Sequence, residues 1–281
     1  MIIIPESYNY IAAFLTLNCN FDCSYCINKY SQLKKSRNLL TGKQWISVFN
    51  TIESRPDLPI TLQGGEPSLH LDFYEIINGI DPVLNIDLLT NLNFNIYEFM
   101  RKIKPERLKR DSPYASIRVS YHPEQMYQPL LLARVLMLQR EGYSIGIWGL
   151  DHPKYKNENE LMIKVCKDDG IDFRLKEFLG WHNNKLYGKY KYEDACNGVV
   201  SDKKYLCKTS ELLIAPDGNV FNCHTHLYEN IYDVGNITKD FVVKEIYRCC
   251  DYYGSCNPCD VKIKTNRFQQ YGHTSVDIKE L

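Results

Sequence analysis

Cys19-Asn-Phe-Asp-Cys23-Ser-Tyr-Cys26 decides the reading of this chain: three cysteines within eight residues, directly after the apolar run Tyr10–Leu17. Thiolates select zinc, copper(I) or iron–sulfur clusters. A closed structural zinc site needs a fourth ligand, and Asn18, Asn20, Asp22 and Ser24 are poor replacements for cysteine or histidine. A 4Fe–4S cluster held by only Cys19, Cys23 and Cys26 leaves one iron open to a small chelating ligand. A zinc loop that borrows a distant ligand is the alternative.

The 281 residues suffice for one large domain, or for one domain with an appendage. Lys+Arg and Asp+Glu number 34 each, so no global field draws the chain to nucleic acid or to an anionic membrane. The opening Met1-Ile-Ile-Ile-Pro5 is too short for a signal-peptide core, and no apolar run reaches a membrane span. The eleven cysteines therefore point to metal binding in a cytoplasmic protein rather than to a disulfide scaffold.

Outward from the triplet, short apolar runs alternate with helical patterns, the mark of βα units on a parallel sheet. Strands are expected near residues 11–17, 59–62, 85–89, 116–121, 143–150 and 171–178. Thr41 should cap a helix running to Ser54, and Ser68 should open another. Six such units fit a partial (β/α)6 barrel, an α/β fold with its ligand site at the carboxyl ends of the strands. Gln63-Gly64-Gly65-Glu66-Pro67 closes the second strand, where glycines permit close backbone approach and unusual dihedrals.

The chain resembles the radical S-adenosylmethionine (SAM) enzymes. Cys-x3-Cys-x-aromatic-Cys, with Tyr25 at the aromatic position, is similar to their signature, and Gly64-Gly65-Glu66-Pro67 matches their Gly-Gly-Glu-Pro motif. The resemblance implies that the open iron chelates the methionine part of SAM, which is cleaved to a deoxyadenosyl radical that abstracts a substrate hydrogen. It further implies that Glu66 and nearby carbonyls meet the SAM ammonium, and that Asn91 and Ser120 lie beside SAM. Trp148 should line the adenine pocket. Ser120-Tyr121-His122 departs from the family's common Ser-Leu-Asp, which leaves His122 to face substrate.

Beyond residue 180 the pattern changes. Cys207 precedes two short strands joined at Pro216-Asp-Gly218 and closed by Cys223, and Cys256-Asn-Pro-Cys259 follows. A hairpin returns Cys207 and Cys223 to one place, so two-plus-two ligation of zinc or of a cluster is expected. The stretch resembles the SPASM and twitch extensions, which carry auxiliary 4Fe–4S clusters. With only Cys249 and Cys250 spare, the shorter twitch form is implied, with Cys207, Cys223, Cys256 and Cys259 as ligands. The expected organisation is a barrel over residues 1–180, a linker over 181–206, a small α+β extension over 207–260 and a tail over 261–281.

Only eighteen residues precede Cys19, so no separate leader-peptide domain is expected. A small-molecule or carbohydrate substrate is favoured, or a peptide taken at the barrel mouth, with a flavodoxin or ferredoxin as reductant. Two-electron oxidation is the first expectation. Epimerisation is the second, with Cys196 as hydrogen donor, and peptide cross-linking by the same radical is a further one. A non-catalytic zinc scaffold is the competitor from another class.

Overall fold

A computed structural model describes residues 1–26, 38–264 and 273–281. Six parallel strands follow one another in chain order: β1 (Tyr10–Thr16), β2 (Ile60–Gly64), β3 (Ile86–Thr90), β4 (Ile117–Ser120), β5 (Ile145–Asp151) and β6 (Phe173–Glu177). Each lies within about two residues of its sequence expectation. Five helices connect them: α1 (Gly42–Phe49), α2 (Phe73–Gly79), α3 (Ile96–Lys102), α4 (Gln128–Arg140) and α5 (Lys156–Asp168). This is the α/β partial barrel that the alternation predicts.

Strand side chains alternate between two faces. One face, including Ile11, Leu15, Ile60, Leu62, Leu88, Val119 and Ile147, is buried in one cluster with Trp45, Phe49, Phe73, Phe99 and Val135 from the helices. The other face carries Thr61, Gln63, Asp87, Arg118, Ser120, Arg174 and Lys176, which line an interior cavity. The apolar face holds the layers together, and the polar face leaves the barrel a chemical interior.

Local signals explain most helix boundaries. Thr41 caps α1 through a capping box, accepting from the Gln44 amide at 3.3 Å while Gln44 Oε1 accepts from the Thr41 amide at 2.9 Å. The helix ends at Phe49 and not at Ser54, because Ile52–Glu53 pairs in parallel with Ile2–Ile3. Ser68 does not open α2 either: Pro67–Leu69 forms a single 3₁₀ turn, and α2 starts at Phe73.

The expected second hairpin is present, and its place in the fold is informative. β7 (Tyr205–Thr209) precedes β8 (Glu211–Ile214), which pairs in parallel with β1; β9 (Val220–Phe221) pairs antiparallel with β8. The hairpin thus extends the barrel sheet, giving the order β9-β8-β1-β2-β3-β4-β5-β6. β7 is central in a separate antiparallel sheet between β10 (Arg248–Cys250) and β11 (Val276–Glu280). The end of the chain, left as a tail by sequence reasoning, therefore supplies a strand. Two short helices follow the hairpin: α6 (His224–Glu229) packs beside β9, and α7 (Pro258–Val261) beside β11.

Candidate functional site

A cavity of about 550 Å³ occupies the barrel. Cys19, Cys23, Tyr25 and Cys26 line it together with Gly64, Gly65, Glu66, Asn91, Ser120 and Trp148. Nearly every residue expected to hold the cluster or SAM thus faces one space; Pro67 is the exception. It is buried as the first residue of the 3₁₀ turn, where its missing N–H costs nothing.

The two glycines serve a contact different from the expected one. Gly65 N–H donates to the Thr16 carbonyl at 2.9 Å, and Glu66 N–H donates to Asn18 at 2.8 Å. A Cβ on Gly65 would lie 2.1 Å from the Asn18 carbonyl oxygen, and one on Gly64 would lie 2.0 Å from that of Thr16. Gly64 also sits at φ +154°. The close approach is therefore between the turn and the chain leading into Cys19, within the protein itself.

Glu66 is the hub beneath this turn. Its Oε1 accepts from Ser68 N–H (3.1 Å), the Ser68 hydroxyl (2.7 Å) and the Thr90 hydroxyl (2.8 Å), and its Oε2 accepts from Asn91 N–H (2.7 Å). Burial pushes its carboxyl pKa up, against the pull of these donors. Asn91 continues the chain of contacts: its Nδ2 donates to Asn20 Oδ1 at 2.7 Å, so the end of β3 holds the cysteine loop directly.

A second clamp, not recognised in the sequence, comes from His122-Pro-Glu124-Gln125 after β4. Glu124 accepts from Ser24 N–H, from the Ser24 hydroxyl at 2.9 Å and from the Tyr155 hydroxyl at 2.6 Å. Gln125 Nε2 donates to the Asp22 carbonyl at 3.2 Å. Tyr25 hydrogen-bonds His122 Nδ1 at 3.1 Å, and its ring packs 5.2 Å from His152 and 5.4 Å from Tyr155. His122, expected to face substrate, lines the cavity while supporting Tyr25. Burial lowers its pKa to about 4, so the ring is neutral at pH 7. Burial likewise pushes the Cys19 thiol up, and that of Cys23 to about 12; metal binding must displace those protons.

Deeper in the barrel, Asp87 receives Arg110 through Nε at 2.8 Å and Nη2 at 3.0 Å, and Arg118 at 3.1 Å. Only 1% of the Asp87 side chain is exposed. Arg174 lies 5.7 Å over the Trp148 ring. Lys264 and Glu211, both buried and 3.6 Å apart, line the same cavity on the side of the extension.

A second cavity lies in the extension, lined by Cys207, Cys223, His226, Cys250, Cys256 and Asp260 among others. Cys259, expected there, lines the barrel cavity instead. Cys196, expected as a hydrogen donor, borders neither cavity. It is buried, and its thiol donates to the Cys256 carbonyl at 3.3 Å. One contact spans the wall between the cavities: His224, lining the barrel, meets Asp260, lining the second cavity, at 2.7 Å.

The donor sets fit iron–sulfur clusters. Three soft sulfurs line one end of the barrel, and five cysteines, Cys207, Cys223, Cys249, Cys250 and Cys256, border the second cavity. Both ring nitrogens of His226 are buried with no hydrogen-bond partner, as expected where a cavity takes a group that offers acceptors. Among the described residues, no three His, Cys, Asp or Glu side chains close around a single ion-sized point. Among them, also, no helix is long and apolar enough to cross a membrane.

Comparison with known proteins agrees with this geometry. Residues 11–110 match a 4Fe–4S single cluster domain. The chain is 27% identical over 213 residues to the GTP 3',8-cyclase of Nautilia profundicola, covering 69% of this chain and 63% of that protein. It is 23% identical over 205 residues to the molybdenum cofactor biosynthesis protein moc-5 of Caenorhabditis elegans, of which it spans 32%. In fold it is similar to anSMEcpe, solved with bound AdoMet (TM-score 0.58, 13% identity, 86% of this chain and 78% of that one). It is also similar to Streptococcus suis SuiB (TM-score 0.57, 13% identity, 83% and 64%). The cysteine triplet and the Gly-Gly-Glu-Pro turn thus meet at the carboxyl end of a barrel whose fold is similar to that of anSMEcpe and SuiB, in a chain similar over two thirds of its length to GTP 3',8-cyclase.

Proposed function

We propose that this chain cleaves SAM reductively and uses the resulting radical to abstract a substrate hydrogen atom, completing a two-electron oxidation. Cys19, Cys23 and Cys26 would hold three irons of a 4Fe–4S cluster, and SAM would bind the fourth. The observation that carries the reading is the convergence of the three thiols, Gly64–Glu66, Asn91, Ser120 and Trp148 on one cavity. Its volume, about 550 Å³, lies within the range of small-molecule sites.

The chain's own part is positioning. The turn at Gly64–Glu66 and the clamp at Glu124–Gln125 fix the cysteine loop from two sides. Trp148 gives an aromatic wall for the adenine, and Arg118, Arg174 and Lys176 supply polar groups farther along the barrel. A second, fully ligated 4Fe–4S cluster in the extension would accept the electron left after hydrogen abstraction and loss of a proton. Its support is geometric: Cys223, on the second cavity, directly precedes His224, on the first. A flavodoxin or ferredoxin would reduce the first cluster.

The substrate class follows the same reasoning. A cavity of this size suits a small molecule or carbohydrate beside SAM. A peptide at the barrel mouth is the second reading, favoured by fold similarity to SuiB, which has been solved bound to the precursor peptide SuiA. Cys196, the thiol that epimerisation would need as hydrogen donor, borders neither cavity, which favours oxidation. Zinc is separated by colour: anaerobically purified protein should be brown.

The test is anaerobic incubation with SAM, dithionite and candidate substrates, following deoxyadenosine and product mass. A product lighter by two hydrogens supports oxidation. An unchanged mass with deuterium taken up from heavy water would replace oxidation by epimerisation.

A further inference from the structure

The second cavity divides the six cysteines of the extension differently from their spacing. Cys207 lies opposite Arg248 in the β7/β10 ladder, so Cys250, two residues on, is its diagonal neighbour on the same face. Their sulfurs hydrogen-bond. Cys249 also borders the cavity, but it pairs with Leu206, alternates to the other face of the strand and is exposed. Cys223 and Cys256 line the cavity as well, with Cys223 serving as N-cap of α6.

Cys259 goes elsewhere for a local reason. Asn257 caps α7 by accepting from Cys259 N–H at 2.9 Å, so Cys259 sits within a helical turn. Successive residues of a helix diverge by about 100°. Asp260 consequently faces the second cavity while Cys259 faces the barrel, where Lys264 Nζ donates to its carbonyl at 3.3 Å. In the first triplet, by contrast, Cys26 N–H bonds the Cys23 carbonyl at 3.0 Å, a loop turn that leaves both sulfurs on one cavity.

We propose that the ligands of the auxiliary cluster are Cys207, Cys223, Cys250 and Cys256, and that Cys259 is a free thiol on the wall of the substrate cavity. This rests on the reading that the extension carries a cluster. His226, its ring nitrogens buried and unpaired beside the four sulfurs, would find hydrogen-bond acceptors in the cluster or its thiolates without being a ligand.

The test is iron content and the EPR of dithionite-reduced protein in a Cys19→Ala/Cys23→Ala/Cys26→Ala background, where only the second cluster remains. That background should hold about four irons. Adding Cys250→Ala should abolish them, or leave about three irons without the reduced four-iron EPR signal, whereas Cys259→Ala and His226→Ala should keep about four. Iron lost in Cys259→Ala and kept in Cys250→Ala overturns the assignment. Iron lost only in His226→Ala overturns it in favour of an imidazole ligand. No iron in the background protein would instead reject the auxiliary cluster itself. Circular dichroism and the first cluster's four irons, retained when each change is made in the wild-type chain, exclude misfolding as the cause.

Discussion

Glu66 N–H donates to the Asn18 carbonyl at 2.8 Å, tying the turn after β2 to the residue that precedes the first cysteine. The two sequence motifs are therefore one structural unit. What disturbs the turn should disturb the metal site before it disturbs the substrate.

Gly65→Val is the direct probe. Its Cβ would fall 2.1 Å from the Asn18 oxygen, and backbone is poorly able to give way. The variant should lose the first cluster's iron, about four atoms, and keep the second cluster's. Full iron with only weakened SAM binding would show that the glycine serves the ligand instead.

Glu124→Ala removes three hydrogen bonds to Ser24 and Tyr155. At about 0.5–1.5 kcal/mol each, and less where solvent competes, local opening of the loop should become easier by about 1–3 kcal/mol. Chelator-driven loss of iron from the first cluster should accelerate by roughly 10- to 100-fold. An unchanged rate would mean that the clamp is incidental.

Asp87→Ala leaves Arg110 and Arg118 in the barrel without their carboxylate. Losing one partner of a buried pair costs about 3–5 kcal/mol, so Tm should fall by roughly 10 °C. Calorimetry showing a shift of only a degree or two would mean that water already screens the pair.

His122 is held neutral, its pKa lowered by burial from 6.5 to about 4. The unfolded chain then binds the extra proton first, so this contribution is complete above pH 6.5 and falls as pH drops towards 4. It amounts to no more than about 3 kcal/mol. His122→Gln should flatten the acid side of the Tm–pH profile relative to wild type. Parallel profiles would refute the assignment.

The sequence revealed the barrel because each βα unit carries its own periodicity, and the triplet and Gly-Gly-Glu-Pro motifs because chemistry concentrates at strand ends. What it missed depends on contacts distant in the chain. The end of α1 is set by Ile52–Glu53 pairing with Ile2–Ile3. The clamp of Glu124 on Ser24 joins residues one hundred apart. Cys250 lies beside Cys207 because β10 pairs with β7, and Cys259 faces the barrel because Asn257 caps a helical turn around it; neither placement is legible from spacing.

The central claim is that Cys19, Cys23 and Cys26 hold the cluster at which SAM is cleaved. The measurement is deoxyadenosine formed by anaerobically reconstituted protein with SAM and dithionite, compared with the Cys19→Ala/Cys23→Ala/Cys26→Ala variant. The account predicts deoxyadenosine from the wild-type chain and none from the variant, which still holds about four irons in the extension. Deoxyadenosine made by that variant would contradict it.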